Sequence, residues 1–446
     1  MSGVSEPSNI STKQDQIAKL ARQLQGKALT SIAHHIDSTW LEEAHRRTRA
    51  SAAPGVDGQT SEGYERDLPG NLARLLEAAK SGTYRAPPVR PVEIPKGSGG
   101  TRTLGIPTHE DKVLQRAVVM ALEPIYEQEF FDFSYGFRPG RSAHQALEAL
   151  WQGLMNKRIG WVLDVDVQSF FDTIDHRCCQ EMLRQRVCDG VIVRLVGKWL
   201  NAGVLEGGVV RRREKGTPQG GVISPLLANI YLHHVLDTWW VRDVKPRMRG
   251  EAFLIRYADD FVLCFEREDD ARRVQAVLQE RFQKHGLTLH PEKTRLLRFE
   301  RPAKGGSLPA TVPGSVRSFD FLGFTHFWAK ARSGGWAVMR RTMRSRFTRI
   351  LKATSEWCRQ HMHAPLAYQA KVLGMKLRGH DAYFGITGNS GMISKLRHFV
   401  KLIWWKHLRR RSQRILTAEV FYKKILALYP LPPARAMHST LRTAKL

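Results

Sequence analysis

Residues Phe253–Phe265 read Phe-Leu-Ile-Arg-Tyr-Ala-Asp-Asp-Phe-Val-Leu-Cys-Phe, two apolar runs on either side of a pair of adjacent aspartates. Such runs predict two β-strands, and the short interruption at Ala258-Asp259-Asp260 predicts a hairpin turn. Neighbouring carboxylates repel each other by about 1 kcal/mol even in bulk water. An isolated Asp-Asp is usually an ordinary solvent-facing turn. Both flanking strands are too apolar for a surface edge, however, so this pair is a candidate functional site.

A third acid belongs to another strand pattern. Residues Trp161–Val167 read Trp-Val-Leu-Asp-Val-Asp-Val, and their alternation puts Asp164 and Asp166 on one face. Carboxylates that converge from separate strands need a cation, and oxygen-only ligands suit Mg²⁺. Two Mg²⁺ ions held in this way activate an attacking hydroxyl and stabilise a leaving pyrophosphate. The pattern therefore indicates metal-assisted nucleotidyl transfer.

The remaining periodicity predicts an α+β fold, because strand pairs alternate with helices. A strand hairpin is expected within 85–106, and a further short strand near Ser318–Phe324. Residues 1–50 are expected to be largely helical. Further helices are expected at 61–80, 108–130, 142–158, 176–203, 222–238 and 267–285.

The composition excludes several classes of protein. Of the 446 residues, 42% are hydrophobic and 25% are charged, which is ordinary globular usage. No apolar run approaches the ~18 residues that a membrane-spanning helix needs, and the first residues lack a basic segment followed by an apolar one. The five cysteines form no Cys-x-x-Cys pair, so neither a disulfide framework nor a zinc site is expected. We expect a cytoplasmic protein without a membrane partner.

The charge is distributed unevenly along the chain. The formal net charge is +28, and residues 331–446 hold 24 Lys/Arg against three acids. Helical stripes at 340–359 and 394–414 place arginines opposite apolar residues, and solvated helices usually mix both signs. Such a basic block attracts polyphosphate because counterions are released. We predict a helical RNA-binding module whose contacts include Arg341, Arg344, Arg409, Arg410 and Arg411.

Several segments together resemble the reverse transcriptase family. Tyr257–Asp260 resembles its Tyr-Ala-Asp-Asp signature, and Leu163–Asp172 resembles its first aspartate motif. Gly216–Pro225 reads Gly-Thr-Pro-Gln-Gly-Gly-Val-Ile-Ser-Pro and resembles its nucleotide-binding loop. The segments Tyr135–Ser142 and Pro54–Gly58 resemble group II intron reverse transcriptases in particular.

Near the C-terminus, Arg378–Gly385 and Leu408–Gln413 resemble the maturase domain of the same proteins. The resemblance covers about residues 40–446 in the family's motif order. It implies a right-hand polymerase with an antiparallel palm sheet, followed by an α-helical thumb or maturase domain. The implied divisions are an N-terminal extension with the first finger loop at 1–85, fingers at 86–160, palm at 161–330 and the RNA-binding thumb/maturase domain at 331–446.

The resemblance also implies site residues. Asp166, Asp259 and Asp260 would be catalytic and would bind the two Mg²⁺ ions, with Asp164 in a supporting role. The residues expected to contact the incoming nucleotide are Lys96, Arg102, Phe171, Gln219 and Gly220. Among them, Phe171 would be a steric gate that excludes a 2′-hydroxyl, or alternatively a core residue.

Two further segments have weaker assignments. Phe321–Phe324 matches the family's primer-grip region, and Lys293 either protonates pyrophosphate or is simply an exposed charge.

The implied function is an RNA-directed DNA polymerase that also binds its intron RNA to assist splicing and retrohoming. The partners would be intron RNA, an RNA template with a DNA primer, dNTPs and target DNA, in a bacterial ribonucleoprotein, cytoplasmic or nucleoid-associated, holding one or two copies of the chain. Two alternatives stay open: a splicing-only maturase, and a domesticated reverse transcriptase in anti-phage defence. Because paired metal-binding cysteines are missing after residue 264, no C-terminal His-Asn-His endonuclease is expected.

Overall fold

The fold is known from a computed structural model, and the structure describes residues 7–95, 100–206, 209–211, 215–217, 220–303, 318–331, 334–411 and 416–438. The chain forms two compact units. The first unit consists of Met1–Ala146 and Val165–Leu296, and the second consists of Leu147–Asp164 and Leu297–Leu446.

The main helices are α1 Pro7–Gln23, α2 Ser38–Arg46, α3 Ser61–Glu65, α4 Leu68–Ser81, α5 His109–Tyr126, α6 Ala143–Asn156, α7 Phe170–Thr173, α8 His176–Arg184, α9 Gly190–Leu200, α10 Ser224–Leu232, α11 Glu268–Lys284, α12 Arg344–Gln360, α13 Leu366–Phe384 and α14 Ser390–Leu408. The strands are β1 Arg90–Pro95, β2 Thr101–Ile106, β3 Trp161–Val165, β4 Val204–Glu206, β5 Val209–Arg211, β6 Ala252–Tyr257, β7 Asp260–Phe265, β8 Arg295–Arg298, β9 Ser318–Phe321, β10 Phe324–Lys330 and β11 Trp336–Thr342. Helices and strands therefore both contribute, as the α+β prediction requires.

Helix α5 lies at the centre of the first unit. It contacts α1, α2, α3 and α10, and most of its residues are buried. Thr108 caps its first turn by accepting a hydrogen bond from the Asp111 amide, and two acids near that turn favour the positive end of the helix dipole. Neighbouring helices hold α5 through its carbonyls, since the Trp40 indole donates to Ala117 O at 3.0 Å. A helix buried on every side gives the first unit a rigid centre.

The strand pairs of the first unit are antiparallel hairpins. Strands β1 and β2 pair from Arg90↔Ile106 to Pro95↔Thr101, and β6 pairs with β7 from Ala252↔Phe265 to Tyr257↔Asp260. The sheet that contains the second hairpin has the strand order β6-β7-β3-β8. Both predicted hairpins are confirmed.

The second unit combines a three-stranded sheet, with the order β11-β10-β9, and the helices α12 to α14. Strand β10 pairs antiparallel with both neighbours. Apolar side chains from the three helices and from Phe421 form one buried cluster, in which Trp404 is fully buried and its indole donates to Gln369 Oε1 at 2.8 Å. Most apolar residues of the two stripes noted in the sequence thus face this cluster, whereas Phe399 is 40% exposed.

The segment Arg378–Gly385 contributes to the interior of this unit. Asp381 is buried, and its carboxylate accepts hydrogen bonds from both terminal nitrogens of Arg397. The Tyr383 hydroxyl donates to Leu322 O at 2.8 Å. A Cβ at Gly385 would lie 2.3 Å from Asp381 O, so the chain can pass here only as glycine. These contacts stabilise the unit, while Arg378 at the start of the segment is exposed.

Several predicted boundaries were wrong. The helix expected over 176–203 is broken into α8 and α9, because Asp189 caps α9 by accepting hydrogen bonds from Val191 N and Ile192 N. The segment Trp336–Thr342 is a strand, although the pattern after residue 335 predicted helices. Helix α14 ends at Leu408, before the arginines that were expected to continue it. Local periodicity misses such breaks because long-range packing and caps decide them.

Within the ranges that the structure describes, no helix combines the length and the apolar character that a bilayer crossing requires.

Candidate active site

The acidic turn between β6 and β7 contains only two residues. Tyr257 and Asp260 are paired across the hairpin, which leaves Ala258 and Asp259 as the two turn residues. Ala258 has φ +58°, in the left-handed region that a non-glycine residue occupies at a cost of roughly 1–2 kcal/mol. Its neighbour Asp259 is half-buried. Strained backbone of this kind persists only where the surroundings fix it, so the turn is held by other groups.

Asp166 follows directly after β3. Its backbone oxygen accepts a hydrogen bond from His290 N at 2.8 Å, and Val167 forms an antiparallel bridge with Leu289. Asp164 and Asp166 are both half-buried, whereas Leu163 and Val165 between and beside them are buried. The predicted alternation is therefore present.

The charges of Asp166 and Asp259 act on each other. Burial raises the pKa of Asp259 above its ordinary value, and the neighbouring Asp166 carboxylate raises it further. The charge of Arg256 works in the opposite direction. The Lys293 ammonium lies 3.3 Å from Asp166 Oδ2. A half-buried pair of carboxylates with one lysine beside it is an arrangement that attracts cations.

The structure brings Asp166 and Asp259 together, while Asp260 lies at the first position of β7 and is half-buried. In the described parts of the chain, no group of three or more His, Cys, Asp or Glu side chains is arranged to hold a metal ion. Asp166 and Asp259 are thus the two acids of this region whose charges act on each other.

Phe170 and Phe171 lie side by side just after Asp166, but their environments differ. Phe170 is 3% exposed and belongs to the core, whereas Phe171 is half-buried. The backbone oxygen of Phe171 accepts a hydrogen bond from Thr217 N at 2.8 Å. The phenylalanine expected to act as a gate thus adjoins the expected nucleotide-binding loop, and it has an exposed part that Phe170 lacks.

The loop Gly216–Pro225, which is expected to bind the nucleotide, is fixed at its far end by a buried polar network. Ile223 N donates to Gln115 Oε1 at 3.2 Å, and Gln115 Nε2 donates to Asp111 Oδ2 at 3.0 Å. The Trp199 indole donates to Asp111 Oδ1 at 2.6 Å. Burial raises the pKa of Asp111 to about 6. Helix α5 therefore anchors this loop through Gln115.

The loop also approaches the β1–β2 hairpin closely. Gly220 has φ +121°, and a Cβ there would lie 2.8 Å from Gly105 O of β2. Both the torsion angle and the space require glycine. Arg102 is exposed on the same strand. Lys96 and Gln219, also predicted to contact a nucleotide, lie outside the described residues.

Sequence reasoning missed the groups that hold the acidic turn. Arg256 is fully buried, and its guanidinium donates to Ala258 O at 3.1 Å and to Asn229 Oδ1 at 2.9 Å. Its remaining nitrogens pair with the buried carboxylate of Asp237. A lone arginine inside the apolar strand of Phe253–Tyr257 was the available signal, because a buried charge requires a partner.

The arginines expected to bind RNA are exposed in the second unit. Arg341 lies on β11 with its guanidinium 5.1 Å from the centre of the Phe327 ring, and Arg344 begins α12. The other three, Arg409–Arg411, follow the end of α14, and Arg409 lies 5.2 Å from the centre of the Trp405 ring. They occupy a strand, a helix start and a turn, and only Arg344 lies in a helix.

Comparison with protein families gives one match. The family described as reverse transcriptase (RNA-dependent DNA polymerase) matches residues 94–326, which is just over half of the chain. The match includes Asp166, Asp259 and Asp260.

Individual relatives extend this match. The chain is 38% identical over 272 residues to protein YkfC of Escherichia coli, covering 54% of this chain and 71% of that protein. It is 39% identical over 188 residues to the group II intron-encoded protein LtrA of Lactococcus lactis, covering 42% of this chain and 31% of LtrA. An uncharacterized 91 kDa protein in a cob intron of Schizosaccharomyces pombe is 36% identical over 404 residues, covering 78% of this chain and 49% of that protein. The alignments with the two intron proteins thus span half of their length or less.

Proposed function

The chain belongs to the reverse transcriptase family, and we propose that it is of the group II intron type, copies RNA into DNA at the Asp166–Asp259 site and assists the splicing of an intron RNA. The observation that carries this proposal is that Asp166 and Asp259 lie at the ends of the neighbouring strands β3 and β7, and that Lys293 lies 3.3 Å from Asp166 Oδ2. The charge of Asp166 also raises the pKa of Asp259. Its substrates would be dNTPs and an RNA template with a DNA primer. Intron RNA and target DNA would be its further partners.

The residues of this site fit a divalent metal ion. Burial and the Asp166 charge both raise the pKa of Asp259, so a cation between the two carboxylates would relieve their repulsion. Carboxylate oxygens are the donors that Mg²⁺ prefers. Asp166 and Asp259 would hold the metal, with Asp260 as the further acid of the site. Two bound Mg²⁺ ions would supply activation of a primer hydroxyl and stabilisation of the leaving pyrophosphate.

Other groups of the first unit would orient the nucleotide. Phe171 is half-buried next to Thr217, which supports a ring that contacts the sugar and leaves no room for a 2′-hydroxyl. Gly220 and Arg102 would meet the triphosphate from the loop and from the hairpin, together with Lys96 and Gln219. The close approach of Gly220 to Gly105 supports their acting together.

Lys293 has a position suited to proton transfer. Its side chain is 60% exposed and its ammonium lies 3.3 Å from Asp166 Oδ2, so it is near the proposed metal site and open to solvent. We propose that it holds the proton that the departing pyrophosphate accepts.

The uneven distribution of basic residues indicates that different parts of the chain have different roles. We propose an N-terminal extension at 1–85, fingers at 86–160, a palm at 161–330 and a thumb/maturase domain at 331–446 that binds RNA. The exposed arginines Arg341, Arg344 and Arg409–Arg411 support RNA binding by the last part. Their neighbours are poor in acids, since residues 331–446 hold only three.

The decisive experiment replaces Asp259 by asparagine. Primer extension on an RNA template with dNTPs and Mg²⁺ should fall by at least about two orders of magnitude, because one charged ligand of the metal site is removed. RNA affinity and splicing assistance should be retained, since neither needs nucleotidyl transfer.

The matched control is Asp243→Asn, which removes an exposed carboxylate of the same unit. It should leave extension unchanged. Extension at the wild-type rate by folded Asp259→Asn protein would refute the assignment of the site, and splicing without extension by the wild-type chain would identify a splicing-only maturase.

A further inference from the structure

A buried polar cluster joins the acidic turn to the loop that follows residue 133. Asn229 of α10 is 1% exposed and lies between the two. Its Oδ1 accepts from Arg256 Nη1 at 2.9 Å, and its Nδ2 donates to Gly136 O at 2.6 Å. The same Arg256 nitrogen donates to Ala258 O at 3.1 Å. The Asn229 amide is thus bonded directly to the Gly136 backbone and, through the Arg256 guanidinium, to the Ala258 backbone.

The backbone reinforces this connection. Arg256 N donates to Phe133 O, and Tyr135 N donates to Arg256 O, each at 2.9 Å. Between these segments there is no spare space, because a Cβ on Gly136 would lie 2.3 Å from Ala258 N. The loop therefore packs directly against the first residue of the turn.

The cluster is also electrostatically complete. Arg256 and Asp237 are both fully buried, and Arg256 Nε donates to Asp237 Oδ1 at 2.8 Å. Removing one partner of a buried ion pair leaves an uncompensated charge, so the pair fixes the orientation of the guanidinium. With Asp237 on one side, the other side of Arg256 is directed at Ala258 O and Asn229 Oδ1.

We propose that Arg256 and Asn229 are positioning residues that set the place of the Asp259 carboxylate by holding Ala258 in its left-handed conformation. The inference rests on the proposed function, since it concerns the geometry of that metal site. Both side chains are buried, so neither is accessible to a substrate. Each acts through the carbonyl of Ala258 or of Gly136, and Asp259 follows because it is the next residue of the turn.

The test uses Arg256→Lys and Asn229→Ala in the full chain. Lysine keeps the charge near Asp237, but its single nitrogen cannot reach the acceptors that the guanidinium spans. Asn229→Ala leaves Arg256 paired with Asp237 and removes two hydrogen bonds of the amide, the one to Gly136 O and the one from Arg256 Nη1. Since a displacement of about 1 Å at a reacting group can cost on the order of a hundredfold in rate, we expect kcat for nucleotide addition to fall by about 10- to 100-fold.

Two readouts separate positioning from a loss of structure. The Mg²⁺ concentration for half-maximal activity should rise, because a displaced carboxylate binds the metal more weakly. The KM for dNTP and the affinity for primer–template should change less than about threefold, since other residues contact them.

The matched control is Arg186→Lys. Arg186 is 4% exposed in the same unit, and its guanidinium donates to backbone oxygens and to Glu129, none of which belongs to the turn. Its replacement should lower the melting temperature. The protein that remains folded should keep the wild-type kcat and the wild-type Mg²⁺ concentration for half-maximal activity.

The outcomes distinguish this inference from the proposed function. Lower kcat with a raised Mg²⁺ requirement in Asn229→Ala supports positioning even where Arg256→Lys does not fold. A folded Asn229→Ala protein with wild-type kcat and wild-type Mg²⁺ dependence would overturn the positioning inference. In that case an inactive Asp259→Asn protein would still support the proposed metal site. Activity of Asp259→Asn would instead refute the metal site itself.

Discussion

Replacing Gly136 by alanine should slow catalysis without touching any acidic residue. The added Cβ would lie 2.3 Å from Ala258 N, 2.9 Å from Tyr257 C and 3.0 Å from Ala258 Cα. All three atoms belong to the backbone of the acidic turn, so no flexible side chain can swing away. Either the loop or the turn must move.

The size of that movement follows from ordinary contact distances. Cβ contacts below 3.4 Å are already tight, so the 2.3 Å contact requires a shift of about 1 Å. The loop cannot simply retreat, because Gly136 O is held by Asn229 and Tyr135 N by Arg256 O. Part of the shift must therefore reach Asp259. A misplacement of that size corresponds to a rate loss on the order of a hundredfold, and overpacking should lower stability by about 1–3 kcal/mol.

The assay is single-nucleotide addition to a DNA primer on an RNA template, with chemical denaturation of the same samples. Gly190→Ala is the control, because a Cβ at Gly190 meets no atom within 4 Å and lies in the same unit. That variant should keep the wild-type rate and stability. A folded Gly136→Ala protein that adds nucleotides at the wild-type rate would show that the turn does not respond to the loop, and the argument would fail.

Phe171→Val should raise incorporation of rNTPs relative to dNTPs if the ring excludes a 2′-hydroxyl, whereas Phe170→Leu should lower stability alone, because only Phe170 is a core residue. Burial lowers the pKa of His109 from 6.5 to about 4, so the folded protein holds the neutral imidazole over a range in which the unfolded chain takes up a proton. The free energy of unfolding should therefore be highest above pH 6.5 and should fall by at most about 3 kcal/mol as the pH decreases toward 4. Urea titrations of His109→Gln should show a weaker pH dependence over that window, while the exposed His363→Gln should not. Replacing Arg409–Arg411 by glutamine should remove up to three phosphate contacts. The slope of log RNA affinity against log salt concentration should then become shallower by about two units for single-stranded RNA. An unchanged slope would exclude these residues from the RNA contact.

Much of the fold could be predicted because its strands are short and strongly patterned. Alternating or continuous apolar runs gave β3, β6 and β7 nearly to the residue. The breaks were harder, as the division of 176–203 at Asp189 shows. That carboxylate also accepts hydrogen bonds from Ile32 N and Ala33 N, so its role depends on a segment more than 150 positions away. No window of local sequence contains that information.

The candidate site divides in the same way. Asp166 and Asp259 could be found from local patterns, because each carboxylate directly adjoins a short apolar strand and is conspicuous there. Their convergence was a hypothesis from the strand patterns, and the family resemblance supported it. Lys293 was ambiguous in the sequence, and its contact with Asp166 depends on the pairing of Val167 with Leu289.

The cluster around Arg256 marks the boundary of what the sequence can disclose. An arginine inside an apolar strand must have a buried acceptor, so the sequence implies that a partner exists. It does not identify the partner, because Asn229 lies 27 positions away and the oxygen of Gly136 lies a further 93 positions before Asn229. Residue types do not indicate which backbone carbonyls accept hydrogen bonds from side chains, and two acceptors of this cluster, Ala258 O and Gly136 O, are backbone carbonyls. Positioning of this kind is therefore invisible until the fold is known, even where the residues that it positions are the easiest in the chain to recognise.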